Sequence, residues 1–120
     1  MSSNTDTADW RSKILLELAF FINGVPDFPD VEWRVKRPTI DAYKAAVDLI
    51  TGIEIEPPLP RIAPDREGGI QFEWDALEIG IAPDGSFEFL HVGPNGTSEE
   101  GYISFDKARQ LVTSISRSHA

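Results

Sequence analysis

Ile70-Gln71-Phe72-Glu73-Trp74-Asp75-Ala76-Leu77-Glu78-Ile79-Gly80-Ile81 is the stretch that decides the fold. Large apolar residues take every second position from Ile70 to Trp74 and again from Leu77 to Ile81. A period of two places them on one face of a pleated strand and the intervening residues on the other. Asp75-Ala76 reads as a two-residue turn. With that turn Trp74 faces Leu77, Phe72 faces Ile79 and Ile70 faces Ile81, so all six side chains share a face. The same register sets Glu73 directly opposite Glu78. Pro83-Asp84-Gly85 is a turn signal, after which Phe87 and Phe89 resume the alternation. A three-residue loop there sets Gly80 opposite Glu88 and Ile79 opposite Phe89. The prediction is a three-stranded antiparallel meander, with a fourth short strand near Tyr102 and Ile103. One face is wholly apolar. The other carries Gln71, Glu73, Glu78 and Glu88 beside Leu90 and Val92.

An apolar sheet face needs a partner layer, and the chain offers three helical patterns. Over residues 9–23, Ile14, Leu15, Leu18, Ala19, Phe21 and Ile22 build one wide apolar face, and Gly24 with Pro26 ends it. Thr39 is placed to cap a second helix, residues 40–51, with Asp41 in its first turn. Its inward stripe is expected to be Ile40, Tyr43, Val47 and Ile50, with Ala42 and Ala46 allowing close approach. Ser104 caps a third, residues 105–116, with Ala108, Leu111, Val112 and Ile115 inward. Between the first two, Val31 to Val35 alternates weakly, as an edge strand or an extended connector. Residues 53–64 contain four prolines and should run extended over the surface. The fold expected is α+β: a three- to four-stranded antiparallel meander packed against N-terminal and C-terminal helices. Residues 1–8 read as a disordered tail and 9–117 as a single domain.

Composition narrows the function classes. The 120 residues suffice for one core, and an apolar share of 41% makes disorder of the body the wrong expectation. There is no cysteine, hence no disulfide, thiolate nucleophile or cysteine-based metal site. The N-terminus lacks the basic region and apolar run of a secretory signal. The apolar stretch Ile14 to Ile22 is too short to span a bilayer and is broken by Glu17. A reducing, cytoplasmic location is the expectation. The net charge is −9, and from Glu67 to Asp106 there are nine acidic residues and no Lys or Arg. Such a stretch disfavours nucleic acid and anionic membranes as ligands.

No residue pattern asks for a cofactor, a metal or a catalytic centre. The two histidines, His91 and His119, have no metal-ligand spacing, and His91 is expected half-buried at the rim of the apolar face. The acids form no calcium-loop pattern, and the Gly-rich turns are not followed by a phosphate-cradling helix with Lys. Glu73 with Glu78 could share a proton, but an exposed sheet face lacks the desolvation that tunes acid–base pairs. Two readings of the acidic face stand: a solvated outer surface that tolerates like charges, or a docking surface for a basic protein. Its members would be Glu73, Glu78, Glu88, Gln71 and Leu90. Trp33, beside Arg34, is the tryptophan placed to join them, or else to pack under the proline segment. Trp74 belongs to the core.

Several of these residues recur together in a recognisable order. Trp33, Pro38-Thr39, Ala42, Ala46, the segment Pro58 to Pro64, Gly68-Gly69-Ile70-Gln71-Phe72-Glu73-Trp74 and Asp84-Gly85 resemble a group of small uncharacterised bacterial proteins. That group shares a Gly-Gly-Ile-x-x-Glu-Trp strand and an Asp-Gly hairpin. The resemblance covers roughly residues 33–90 and falls mostly on core and turn positions. It implies the fold and a loose association with mobile or defence-related loci, and carries over no catalytic residue. The leading expectation is a non-enzymatic acidic interaction protein, an antitoxin-like or immunity-like inhibitor of a basic protein partner. The alternatives are a nucleic-acid mimic, a small carboxylate-dependent hydrolase, and a structural dimer formed through a strand edge.

Overall fold

The computed structural model describes the backbone of residues 3–23, 37–65 and 67–119, and the side chains of 10–20, 37–65 and 67–116. In chain order its elements are α1 (Ser3–Asn23), α2 (Ile40–Thr51), β1 (Arg61–Pro64), β2 (Ile70–Glu73), β3 (Leu77–Ile81), β4 (Phe87–Val92), β5 (Ser98–Ile103) and α3 (Phe105–His119). The strands form one antiparallel sheet in the order β1-β2-β3-β4-β5. The fold is α+β, with helices on the apolar face of an open sheet.

The central register agrees with the alternation. Ile70 pairs with Ile81, Phe72 with Ile79 and Glu73 with Glu78. Ile79 pairs with Phe89 and Gly80 with Glu88. Two apolar rows cross the sheet. One runs Ile62-Phe72-Ile79-Phe89, the other Ile70-Ile81-Phe87-Ile103. Trp74 is buried, stacks on Phe72 at 5.9 Å and donates its indole N–H to the Pro58 carbonyl at 2.7 Å. The Gly-Gly pair before Ile70 is structural: a Cβ on Gly69 would stand 2.2 Å from the Ile81 carbonyl oxygen.

Five strands replace the expected three to four. β1 comes from the end of the proline segment, which was expected to be only extended coil. Pro64 is tolerated there because an edge strand need not donate on its outer side, and Ile62 buries in line with Phe72. β5 is a full six-residue partner of β4, rather than a short strand at Tyr102 and Ile103. Its residues are exposed except Ile103, so it carries no apolar alternation.

The helices follow their sequence faces with two corrections. α1 begins at Ser3, so the helix takes in most of the tail assigned to residues 1–8; no Gly or Pro interrupts it from there to Asn23. Trp10, Ile14 and Leu18, spaced by four, are its buried ridge. α2 turns a different stripe inward. Ile40 is 64% exposed, whereas Ala42, Ala46, Leu49 and Ile50 are fully buried, and Tyr43 and Val47 are only partly so. α2 packs against α1, α3 and the sheet together, and small alanine side chains let three neighbours approach one helix. α3 buries Ala108 and Val112, with Leu111 and Ile115 half-buried. The weakly alternating stretch at 31–35, and Trp33 in it, lie outside the described residues.

Candidate functional site: the outer sheet face

Register and pleat together define the face turned away from the helices. One row across it reads Arg61-Glu73-Glu78-Leu90-Glu100. The next reads Ala63-Gln71-Gly80-Glu88-Tyr102. Every residue of both rows is half-buried or exposed, whereas Ile62, Ile70, Phe72, Ile79, Ile81 and Phe87 on the opposite face are buried. The structure therefore brings Gln71, Glu73, Glu78, Glu88 and Leu90 onto one face.

The Trp74 N–H donates to the Leu77 carbonyl at 2.7 Å, marking that pair as hydrogen-bonded across the ladder. The neighbouring pair, Glu73 and Glu78, is then of the non-hydrogen-bonded kind, in which side chains stand closest. Like charges so placed cost up to roughly 1 kcal/mol. The repulsion is partly offset. Gln71 donates from Nε2 to Glu78 Oε1 at 2.6 Å, and Arg61 stands on the far side of Glu73. Among the described residues no Lys or Arg closes an ion pair with Glu73, Glu78, Glu88 or Glu100; the ion pair Arg109–Asp106 lies on α3.

Gly80 shapes the middle of the face. It has no side chain, and Glu88 lies across it, with Cγ and Oε1 each 3.0 Å from where a Cβ would stand. The result is an open depression lined by Gln71, Gly80, Glu88, Leu90, Glu100 and Tyr102. Tyr102 is 82% exposed at its margin. A shallow floor with carboxylates and two apolar side chains can receive a cationic group and its aliphatic stem.

Four members of this face, Arg61, Ala63, Glu100 and Tyr102, are not placed on it by the sequence. Arg61 and Ala63 were missed because β1 hides in a proline segment. Glu100 and Tyr102 were missed because the register of β5 depends on the turn at Gly93 to Gly96, which carries no apolar signal. Among the described residues no element walls in a carboxylate pair on this face, and no three potential metal ligands cluster. Nor, among them, is any helix long and apolar enough to cross a membrane. His91 is half-buried in the row Leu77-His91-Glu99 at the rim of the opposite face. No protein-family model matches the chain, and neither a curated protein nor a solved structure matches it.

Proposed function

We propose that this protein is a non-enzymatic interaction module whose outer sheet face docks a basic protein, in the manner of an antitoxin-like or immunity-like inhibitor. The observation that carries the reading is the grouping of Glu73, Glu78, Glu88 and Glu100 with Leu90 and Tyr102 on the face turned away from the described helices. β2 to β5 all fall within the stretch that lacks Lys and Arg, so the field over this side of the sheet is negative. Charge of one sign speeds encounter with a basic partner and is screened by salt. The apolar side chains between the carboxylates favour a protein surface over a run of evenly spaced phosphate-like charges. A hydrolase would need carboxylates converging in a cleft, and these stand on an open face. Cytoplasmic residence belongs to the same proposal.

The test compares the wild-type protein with the triple variant Glu73→Gln, Glu78→Gln, Glu88→Gln as bait in host extract. Captured proteins are identified by mass spectrometry at low and at high salt. The expected result is a basic protein held by wild type at low salt, released by high salt, and lost from the variant. A partner held equally by the variant would sink the proposal, as would recovery of no specific partner.

A further inference from the structure

Among the described residues the sheet has two edges, β1 and β5. In an antiparallel ladder, residues that exchange both hydrogen bonds with a neighbouring strand alternate with residues whose N–H and C=O point the other way. Gly93 donates its N–H to the Thr97 carbonyl at 2.7 Å, so the bonded β4–β5 pairs that follow are His91–Glu99, Phe89–Gly101 and Phe87–Ile103. Val92 donates to the Ala76 carbonyl at 2.9 Å, which fixes the same phase from the β3 side. Ser98, Glu100 and Tyr102 therefore aim their N–H and C=O groups out of the sheet. On β1, the Asp65 N–H to Gly69 carbonyl bond at 3.0 Å turns Arg61 and Ala63 toward β2. Positions 60, 62 and 64 face outward there. Two of these are Pro60 and Pro64, which have no N–H to offer.

The edges are thus treated oppositely. Proline on outward positions blunts β1 against further pairing. β5 has no proline and no lysine, and it is exposed from Ser98 to Tyr102. From this asymmetry we propose that the β5 edge is an attachment line, where an extended segment bearing lysine or arginine adds as a sixth strand. The proposal rests on the basic-partner reading above and names its mode of binding. The side chains of Ser98, Glu100 and Tyr102 lie on the outer face, so an added strand sets every second side chain beside them. A cationic side chain there extends the row Glu73-Glu78-Leu90-Glu100. The alternate side chains fall beside Glu99 and Gly101 on the other face. A Cβ on Gly101 would be 4.0 Å from the ring of half-buried Phe89, so an apolar residue of the added strand falls on the side of Gly101 away from that ring. A second copy of this chain is the poorer occupant. Pairing about Glu100 would oppose that carboxylate to its own copy, and each copy carries a net charge of −9.

The experiment is amide hydrogen exchange on the full-length, 15N-labelled protein. The probes are a capped peptide of alternating lysine and valine, the same peptide N-methylated at every second residue, and a glutamate–valine counterpart. In free protein, Ser98, Glu100 and Tyr102 should exchange at least about tenfold faster than Glu99, Gly101 and Ile103. The lysine–valine peptide should slow those three by about tenfold, and neither control should. Binding that perturbs Glu73, Glu78 and Leu90 without slowing the β5 amides overturns strand addition and leaves the docking face standing. No binding of the lysine–valine peptide also overturns it, and the docking face is then judged on the captured partner alone. Protection that grows with protein concentration in the absence of peptide assigns the edge to a second copy and likewise overturns the proposal.

Discussion

Glu78 receives a hydrogen bond from Gln71 and faces Glu73 across the closer kind of ladder pair. An amide in its place keeps an acceptor for Gln71 and removes the repulsion. Glu78→Gln is expected to raise stability by roughly 0.2–1 kcal/mol in urea denaturation. The gain should shrink at high salt, because screening already weakens the repulsion in wild type. A loss of stability would show that the charge-assisted bond outweighs the like-charge contact. Asp84 carries the pH prediction. The Ser86 hydroxyl, and then the Ser86 backbone N–H, donate to its carboxylate and hold its pKa below the ordinary aspartate value. A lowered folded pKa means the contribution is full above the unfolded value and lost as pH falls through the folded one. The stability gap between wild type and Asp84→Ala should therefore be constant near neutral pH and close in acid. Urea midpoints measured from pH 7 to pH 2 check this. Both effects were half legible in sequence. The turn and the facing glutamates follow from local pattern, while the Gln71 bond is a diagonal contact between strands that no local period announces.

At the scale of elements, α2 shows how far a local signal reaches. Thr39 was legible as its cap, and its hydroxyl oxygen accepts from the Ala42 N–H at 3.0 Å. What was not legible is that the same hydroxyl donates to the Pro83 carbonyl at 2.5 Å, while the Thr39 N–H donates to the Gly68 carbonyl at 2.9 Å. One residue thus ties the start of α2 to both neighbouring hairpin loops. Thr39→Ala should cost about 1–2 kcal/mol in chemical denaturation, and Thr39→Ser should restore most of it. Equal losses in both would point to the methyl group instead. At the other end α2 has no basic residue in its last turn. Arg11 of α1 supplies the charge from 42 residues away, donating to the Ile53 carbonyl and, at 3.4 Å, to the Ile50 carbonyl. Arg11→Met keeps the apolar stem and removes the donors. It should lower stability by about 1–3 kcal/mol in thermal or urea melts, the cost of leaving helix-end carbonyls unmet. A variant as stable as wild type would show that water replaces the guanidinium. The wrong stripe expected for α2 has a related cause. Periodicity defines apolar faces on a helix, and three packed neighbours select among them.

At the scale of the molecule, the charge is divided unevenly along the chain. The sheet from β2 to β5 lies in the segment with nine acids and no Lys or Arg. Self-repulsion should make the protein less stable at very low ionic strength. Raising sodium chloride from about 10 to 150 mM, which shortens the screening length from roughly 30 to 8 Å, should raise the melting temperature. A melting temperature unmoved or lowered by salt would mean that attractive pairs balance the repulsion. The same screening should weaken partner capture, so stability and binding are expected to respond to salt with opposite sign. That opposition separates a surface merely tolerating its charge from one that uses it.

The partition of β2, β3 and β4 into an apolar and an acidic face was determined by the amino-acid sequence alone. Side-chain direction alternates with each residue, and two short turns leave no freedom to slip the register. The tertiary structure alone decided that the proline segment and Ser98 to Ile103 form the two edges of the sheet, that Glu100 and Tyr102 join the acidic face, and that Arg11 caps a distant helix. These depend on which strand or helix end lacks a neighbour, and contacts between residues far apart in the chain settle that, not any local period.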